Sequence, residues 1–99
     1  MPVINVTPEA EADILDACKW YNGQKEGLGL EFFDEVVTTV ERIEDHPVAY
    51  NLVHKNVRRA VVRRFPYYII YTVAGDQIQL IACLHASRSP EAWKSRFDT

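Results

Sequence analysis

The spacing of apolar positions changes once along the chain, and the change separates a helical half from a β-rich half. Val3-Ile4-Asn5-Val6 is short and β-branched and reads as a first strand. Thr7-Pro8 then offers a hydroxyl cap followed by proline at the first helical position. Glu9, Glu11 and Asp13 place negative charge in the opening turns, where the helix dipole favours it. Ala10, Ile14, Ala17, Cys18 and Tyr21 recur at helical spacing, and Gly23 is the expected stop. Gly27-Leu28-Gly29 turns the chain into a second helix, which His46-Pro47 ends. Its expected buried stripe is Leu30, Phe33, Val36, Val37, Val40 and Ile43. The short connection favours an antiparallel helical hairpin.

Beyond a polar stretch over 48–56 the period becomes two. Strands are expected over 57–62, 67–73 and 78–85, separated by Phe65-Pro66 and by a tight turn at Ala74-Gly75-Asp76. A short helix over 90–96 closes the pattern, with Ser89 as cap and Trp93 as anchor. The fold class is therefore α+β: an N-terminal strand, a helical hairpin, a three-stranded antiparallel meander and a C-terminal helix, in one domain over 1–99. Both alternating sets of the last two strands are apolar. Tyr67, Ile69, Tyr71 and Val73 oppose Tyr68, Ile70 and Thr72, while Ile78, Leu80, Ala82 and Leu84 oppose Gln79, Ile81, Cys83 and His85. One face carries the helices; the other is either an aromatic binding surface or extra core beneath the C-terminal segment.

Composition adds little until charge is divided along the chain. A chain 47% hydrophobic and 25% charged is an ordinary globular one. No apolar run approaches the roughly 20 residues of a membrane span, and no secretory signal follows Met1, so a cytoplasmic location is expected. Cys18 and Cys83 lack the spacing and neighbours of a zinc site and read as free thiols; no metal or cofactor is expected. Residues 1–50 carry 11 acidic against 3 basic side chains, a balance of -8, whereas 51–99 carry 3 against 8, a balance of +5. Such a molecule is dipolar, and its basic face suits a nucleic acid or an acidic protein segment.

Arg58, Arg59, Arg63 and Arg64, preceded by His54 and Lys55, concentrate that positive charge on one strand and its flanks. Guanidinium forks match phosphate and carboxylate groups, although charged side chains also protect a sheet edge from pairing. His85 ends the last strand, with Arg88 shortly after it. A histidine there can act as a general acid, with Arg64 and Arg88 stabilising a phosphoryl transition state. A lone histidine is more often a structural residue. Neither a Gly-rich phosphate loop nor a Ser/Cys–His nucleophile pattern is present.

The run from Arg58 through Phe65-Pro66-Tyr67-Tyr68 to Tyr71, then 78–85, then Arg88-Ser89-Pro90-Glu91-Ala92-Trp93, closely resembles the RelE/ParE toxin superfamily of type II toxin–antitoxin (plasmid stabilisation) systems. Thr7-Pro8-Glu9, Trp20-Tyr21, Gly27-Leu28-Gly29 and Ile43 before Pro47 extend the resemblance over nearly the whole chain. It implies a cognate antitoxin, in a toxin–antitoxin hetero-oligomer, covering the basic or concave surface. Lys55, Arg58, Arg59, Arg63, Arg64, Tyr68 and Trp93 are the expected target- or antitoxin-binding residues. Two branches follow. RelE-like members cleave messenger RNA on the ribosome; ParE-like members act on DNA gyrase without cleavage. The nucleases commonly carry an arginine three residues before the strand tyrosine, and here Tyr68 stands three before Tyr71. Leu84-His85 followed by Arg88 looks ParE-like instead. The expectation is a non-enzymatic gyrase inhibitor; an mRNA endonuclease using His85, Arg64 and Arg88, or a diverged non-toxic binding protein, are the alternatives.

Overall fold

The computed structural model describes residues 2–97, so Met1, Asp98 and Thr99 of the expected 1–99 domain lie outside the described residues. The elements run β1 (Val3–Val6), α1 (Pro8–Gln24), α2 (Leu28–Asp45), β2 (Asn51–His54), β3 (Val57–Val62), β4 (Tyr67–Ala74), β5 (Gln77–His85) and α3 (Glu91–Phe97). They form the expected α+β architecture. The sheet has the order β1-β5-β4-β3-β2, with β2 to β5 an antiparallel meander and β1 parallel to β5. The meander therefore has four strands rather than three. β2 lies inside the stretch read as polar loop; as a four-residue edge strand with its first two residues exposed, it needs no alternating pattern.

Thr7 caps α1 as expected, its hydroxyl oxygen accepting the Ala10 N–H at 3.1 Å. Gly23 does not stop the helix, which continues to Gln24. The reversal falls at Gly27, whose φ of 88° suits glycine and whose N–H is held by the Asn22 side-chain oxygen at 2.8 Å. In α2 the buried stripe is Gly29, Phe32, Val36, Thr39 and Ile43; Leu30, Phe33 and Val37, expected inside, are exposed. Gly29 sets that phase. A Cβ there would stand 2.4 Å from the Cys18 carbonyl oxygen, so this is the face on which α1 and α2 approach most closely. Thr39 is tolerated inside because its hydroxyl donates to the Glu35 carbonyl at 2.7 Å.

The hairpin lies on one sheet face over a core that includes Ile14, Phe32, Ile43, Ile69, Tyr71, Ile78 and Leu80. At one end Tyr21, Phe32, Phe65 and Tyr67 pack as rings with centroids 4.8–5.9 Å apart. Tyr71 is fully buried; its hydroxyl donates to the Pro47 carbonyl at 2.7 Å, and burial pushes its pKa up to about 12.

β5 does not keep one alternation along its length. Ile70 pairs with Ala82 and Tyr71 with Leu80, which leaves Ile81 as the extra residue of a bulge. Ile78 and Leu80 face the helices, whereas beyond the bulge Ala82 and Leu84 face the opposite side and Cys83 takes the helical one. The expected grouping of Ile78, Leu80, Ala82 and Leu84 on one face is thereby corrected.

Pairing with β1 reaches only to Leu80, so the edge of β5 past the bulge needs other partners. Asp13 of α1 accepts the Cys83 N–H at 3.0 Å and holds Arg96 of α3 through two bonds of 2.6 and 3.2 Å. Arg96 also donates to the Ile81 carbonyl at 3.3 Å. This ion pair fastens α3 against the second sheet face, where Trp93 packs in a cluster with Val57, Ile70, Ile81, Ala82 and Leu84. The C-terminal helix and its tryptophan anchor are thus as expected, and they cover part of that face as a second, smaller core.

Candidate functional site

The part of the second face that α3 leaves open is a groove of about 260 Å³. Antiparallel register builds its floor: Tyr68 pairs with Leu84 and Ile70 with Ala82, so Tyr68, Ile70 and Leu84 point the same way, with Trp93 as a side wall. The rim is basic. Arg59 comes from β3, His85 from the end of β5, Arg88 from the following loop and Lys94 from α3. The Arg59 guanidinium lies 4.3 Å from the centroid of the Tyr68 ring, a cation–π contact that fixes both side chains on the floor's edge.

A second concavity of about 390 Å³ lies at the β2–β3 edge and adds Arg42, Val61 and Arg63; Arg59 borders both. Among the described residues no carboxylate lines either one. Among the described residues, Arg42, Arg59, Arg63, Arg88 and Lys94 pair with no acidic side chain. Uncompensated cations around an aromatic floor make a surface for an anionic partner with an apolar anchor.

A family profile described as "ParE toxin of type II toxin-antitoxin system, parDE" matches residues 4–90. The chain belongs to the ParE toxin family. It is accordingly the toxin component of a type II toxin–antitoxin module, paired with an antitoxin. The toxin's fold is similar to a solved chain of the chromosomal ParDE toxin–antitoxin system from P. aeruginosa, with a TM-score of 0.76 and 19% identity. That similarity covers 86% of the toxin and 96% of the solved chain. No curated protein gives a significant match to the sequence.

The toxin's arginine cluster divides into solvent-facing members and members engaged within the fold. Arg59 and Arg63 face solvent at the concavities, but Arg58 points to the helical side and donates to the Tyr50 carbonyl at 2.6 Å. Arg64, at a φ of 71°, is drawn to α2, 2.8 Å from Glu31 and 3.4 Å from Glu35. Those hydrogen bonds hold the Glu31 carboxyl below its usual range and push Arg64 up. Lys55 sits in the β2–β3 turn, 5.9 Å from the Phe97 ring, outside the groove lining. Of the expected binding residues, the groove gathers Arg59, Tyr68 and Trp93.

Of the residues proposed for acid–base chemistry, His85 and Arg88 share the groove, while Arg64 is committed to α2 and does not line it. The Ser87 N–H donates to His85 Nδ1 at 3.0 Å, so the proton of the neutral ring sits on Nε2. The imidazole also packs edge-on against Tyr67 at 5.4 Å. Cys83 offers no nucleophile: burial, reinforced by Asp13, pushes its thiol up to about 12. Among the described residues no group of three His, Cys, Asp or Glu side chains is placed to hold a metal ion, and no helix is long and apolar enough to cross a membrane. Arg42 and Lys94 were absent from the sequence expectation. Lys94 follows Trp93, and Arg42 stands in the last turn of α2; only the fold brings them beside Arg59.

Proposed function

We propose that this single-domain chain inhibits DNA gyrase in the cytoplasm, and that its antitoxin silences it by covering the groove on the open sheet face. The profile match to ParE toxins over residues 4–90 carries this reading, and the groove gives it a surface. Binding rather than catalysis is its mode of action. Tyr68 stands on the floor where the nuclease branch places an arginine, Arg64 is engaged by two glutamates, and Ser87 holds the His85 ring. An apolar floor with Tyr68 and Trp93 under a basic rim is the composition of a protein-binding hot spot.

One observation favours a second reading, a ribosome-dependent mRNA endonuclease: His85 and Arg88 line one groove with Arg59 and Lys94. The purified chain is to be tested in parallel on gyrase supercoiling and on cleavage of ribosome-bound message. Gyrase inhibition that survives His85→Ala, and is relieved by antitoxin, is the expected outcome. RNA cleavage abolished by His85→Ala would overturn it. Unimpaired growth on induction without antitoxin would instead leave a non-toxic binding protein.

A further inference from the structure

We infer that the arginine-lined face is a DNA-backbone contact, so that the toxin engages the duplex that gyrase holds as well as the enzyme. The inference rests on the gyrase reading for DNA as the nucleic acid; the surface itself is argued from geometry. Arg42, Arg59 and Arg63 surround the concavity at the β2–β3 edge, and Arg59 continues into the groove bearing Arg88 and Lys94. The cations thus form one row through Arg59, across a floor two strand spacings wide, roughly 10 Å. A phosphodiester backbone presents a regular series of anions and can meet such a row without any particular side-chain sequence. An acidic peptide would need carboxylates at matching positions. Guanidinium groups also suit phosphate geometry, and the half-buried Tyr68 in the groove lining offers an apolar surface beside them.

The overall charge of -3 does not oppose this placement. Eleven of the 14 acidic residues lie on α1, α2 and their connection, across the sheet from Arg59, Arg63, Arg88 and Lys94, while Arg42 shares α2 with some of them. The intervening layer is on the order of 10 Å thick, so the carboxylates stand farther from an anion on the open face than the arginines there do. A polyanion on the open face therefore meets the arginines before the carboxylates, and the molecular dipole turns that face toward it.

The test is fluorescence anisotropy of the full chain with a labelled duplex of about 20 base pairs, read as affinity against salt. Four of the five cations engaged at once give a log–log slope of about -3.6, or about 150-fold weaker binding between about 50 and about 200 mM salt. Replacing two of them in R59Q/R63Q should bring the slope to about -1.8 and the salt effect to roughly 12-fold. The charge-matched K19Q/K25Q, on the exposed helical hairpin, should leave the slope unchanged. Circular dichroism checks that each variant is folded. Absence of duplex binding at low salt, equal slope losses in the two double variants, or binding of polyglutamate or single-stranded RNA in preference to duplex overturns the inference. Gyrase inhibition without duplex binding sinks this inference alone; duplex binding without gyrase inhibition sinks the gyrase reading and leaves the surface standing.

Discussion

Asp13→Ala tests how the open face is built. The Asp13 carboxylate accepts the buried Cys83 amide at 3.0 Å and two bonds from Arg96 at 2.6 and 3.2 Å, with side chains 13% and 26% exposed. Exposed ion pairs are worth about 0.2–1 kcal/mol, whereas removing one partner of a buried pair costs about 3–5 kcal/mol. At this partial burial, with an amide left unpaired as well, the expected loss is about 3 kcal/mol. For a domain near 100 residues that lowers the melting temperature by about 12–24 °C. Arg96→Ala should cost about 2 kcal/mol, because Asp13 keeps the Cys83 amide and gains water. The double variant should be little worse than Asp13→Ala, a coupling of about 2 kcal/mol in a double-mutant cycle. Urea denaturation measures all three, and amide exchange at Cys83 reports the freed edge directly. Additive single effects, or a loss below about 0.5 kcal/mol for Asp13→Ala, would refute the claim that the pair closes the sheet edge past the bulge.

Gly29→Ala should destabilise by about 1–3 kcal/mol in urea melts, because the new Cβ meets the Cys18 backbone and the helices must part. Trp93→Ala removes the anchor of the smaller core and should cost about 3–5 kcal/mol, with the helix over 91–97 losing amide protection first. Arg64→Ala should lower thermal stability more at pH 7 than at pH 3. Glu31 is held below its usual range, so its contribution is present above the unfolded-state pKa and disappears as pH falls through the folded one. Equal losses at both pH values would remove Arg64 from that clip. Tyr68→Ala should weaken antitoxin binding about 30-fold by calorimetry, as loss of an aromatic anchor does, and should also lower the melting temperature because the ring packs on the smaller core.

The chain's period changes were enough to place the helical hairpin, three of the meander strands and the closing helix. What escaped did so for local reasons. In α2 the runs Leu28-Gly29-Leu30 and Phe32-Phe33 supply apolar residues to two adjacent faces, so hydrophobicity alone cannot set the phase. Gly29 held the answer: it is the one residue small enough for the close helix approach, and it draws Phe32 and Val36 inward with it. A bulge is invisible to alternation because it is a break in alternation, and the Ile81-Ala82-Cys83-Leu84 run is apolar on either assignment. The arginines looked alike in sequence. Their roles separated only when β3 register sent Arg58 toward Tyr50, and the left-handed backbone at Arg64 turned its side chain to Glu31 and Glu35. The basic rim was legible as a charge excess, but its membership was not.

The pairing of β1 with β5 brings Val3 beside Gln77, and the Asp13–Arg96 bond spans a still longer stretch of chain. Contacts so distant in sequence form late, since their loop-closure entropy must be met before they stabilise anything. During synthesis the helical hairpin emerges well before the strands that complete its core. The groove has no walls until Trp93 and Lys94 have left the ribosome. A nascent copy therefore lacks the complete groove, and until β1 docks the toxin is still assembling.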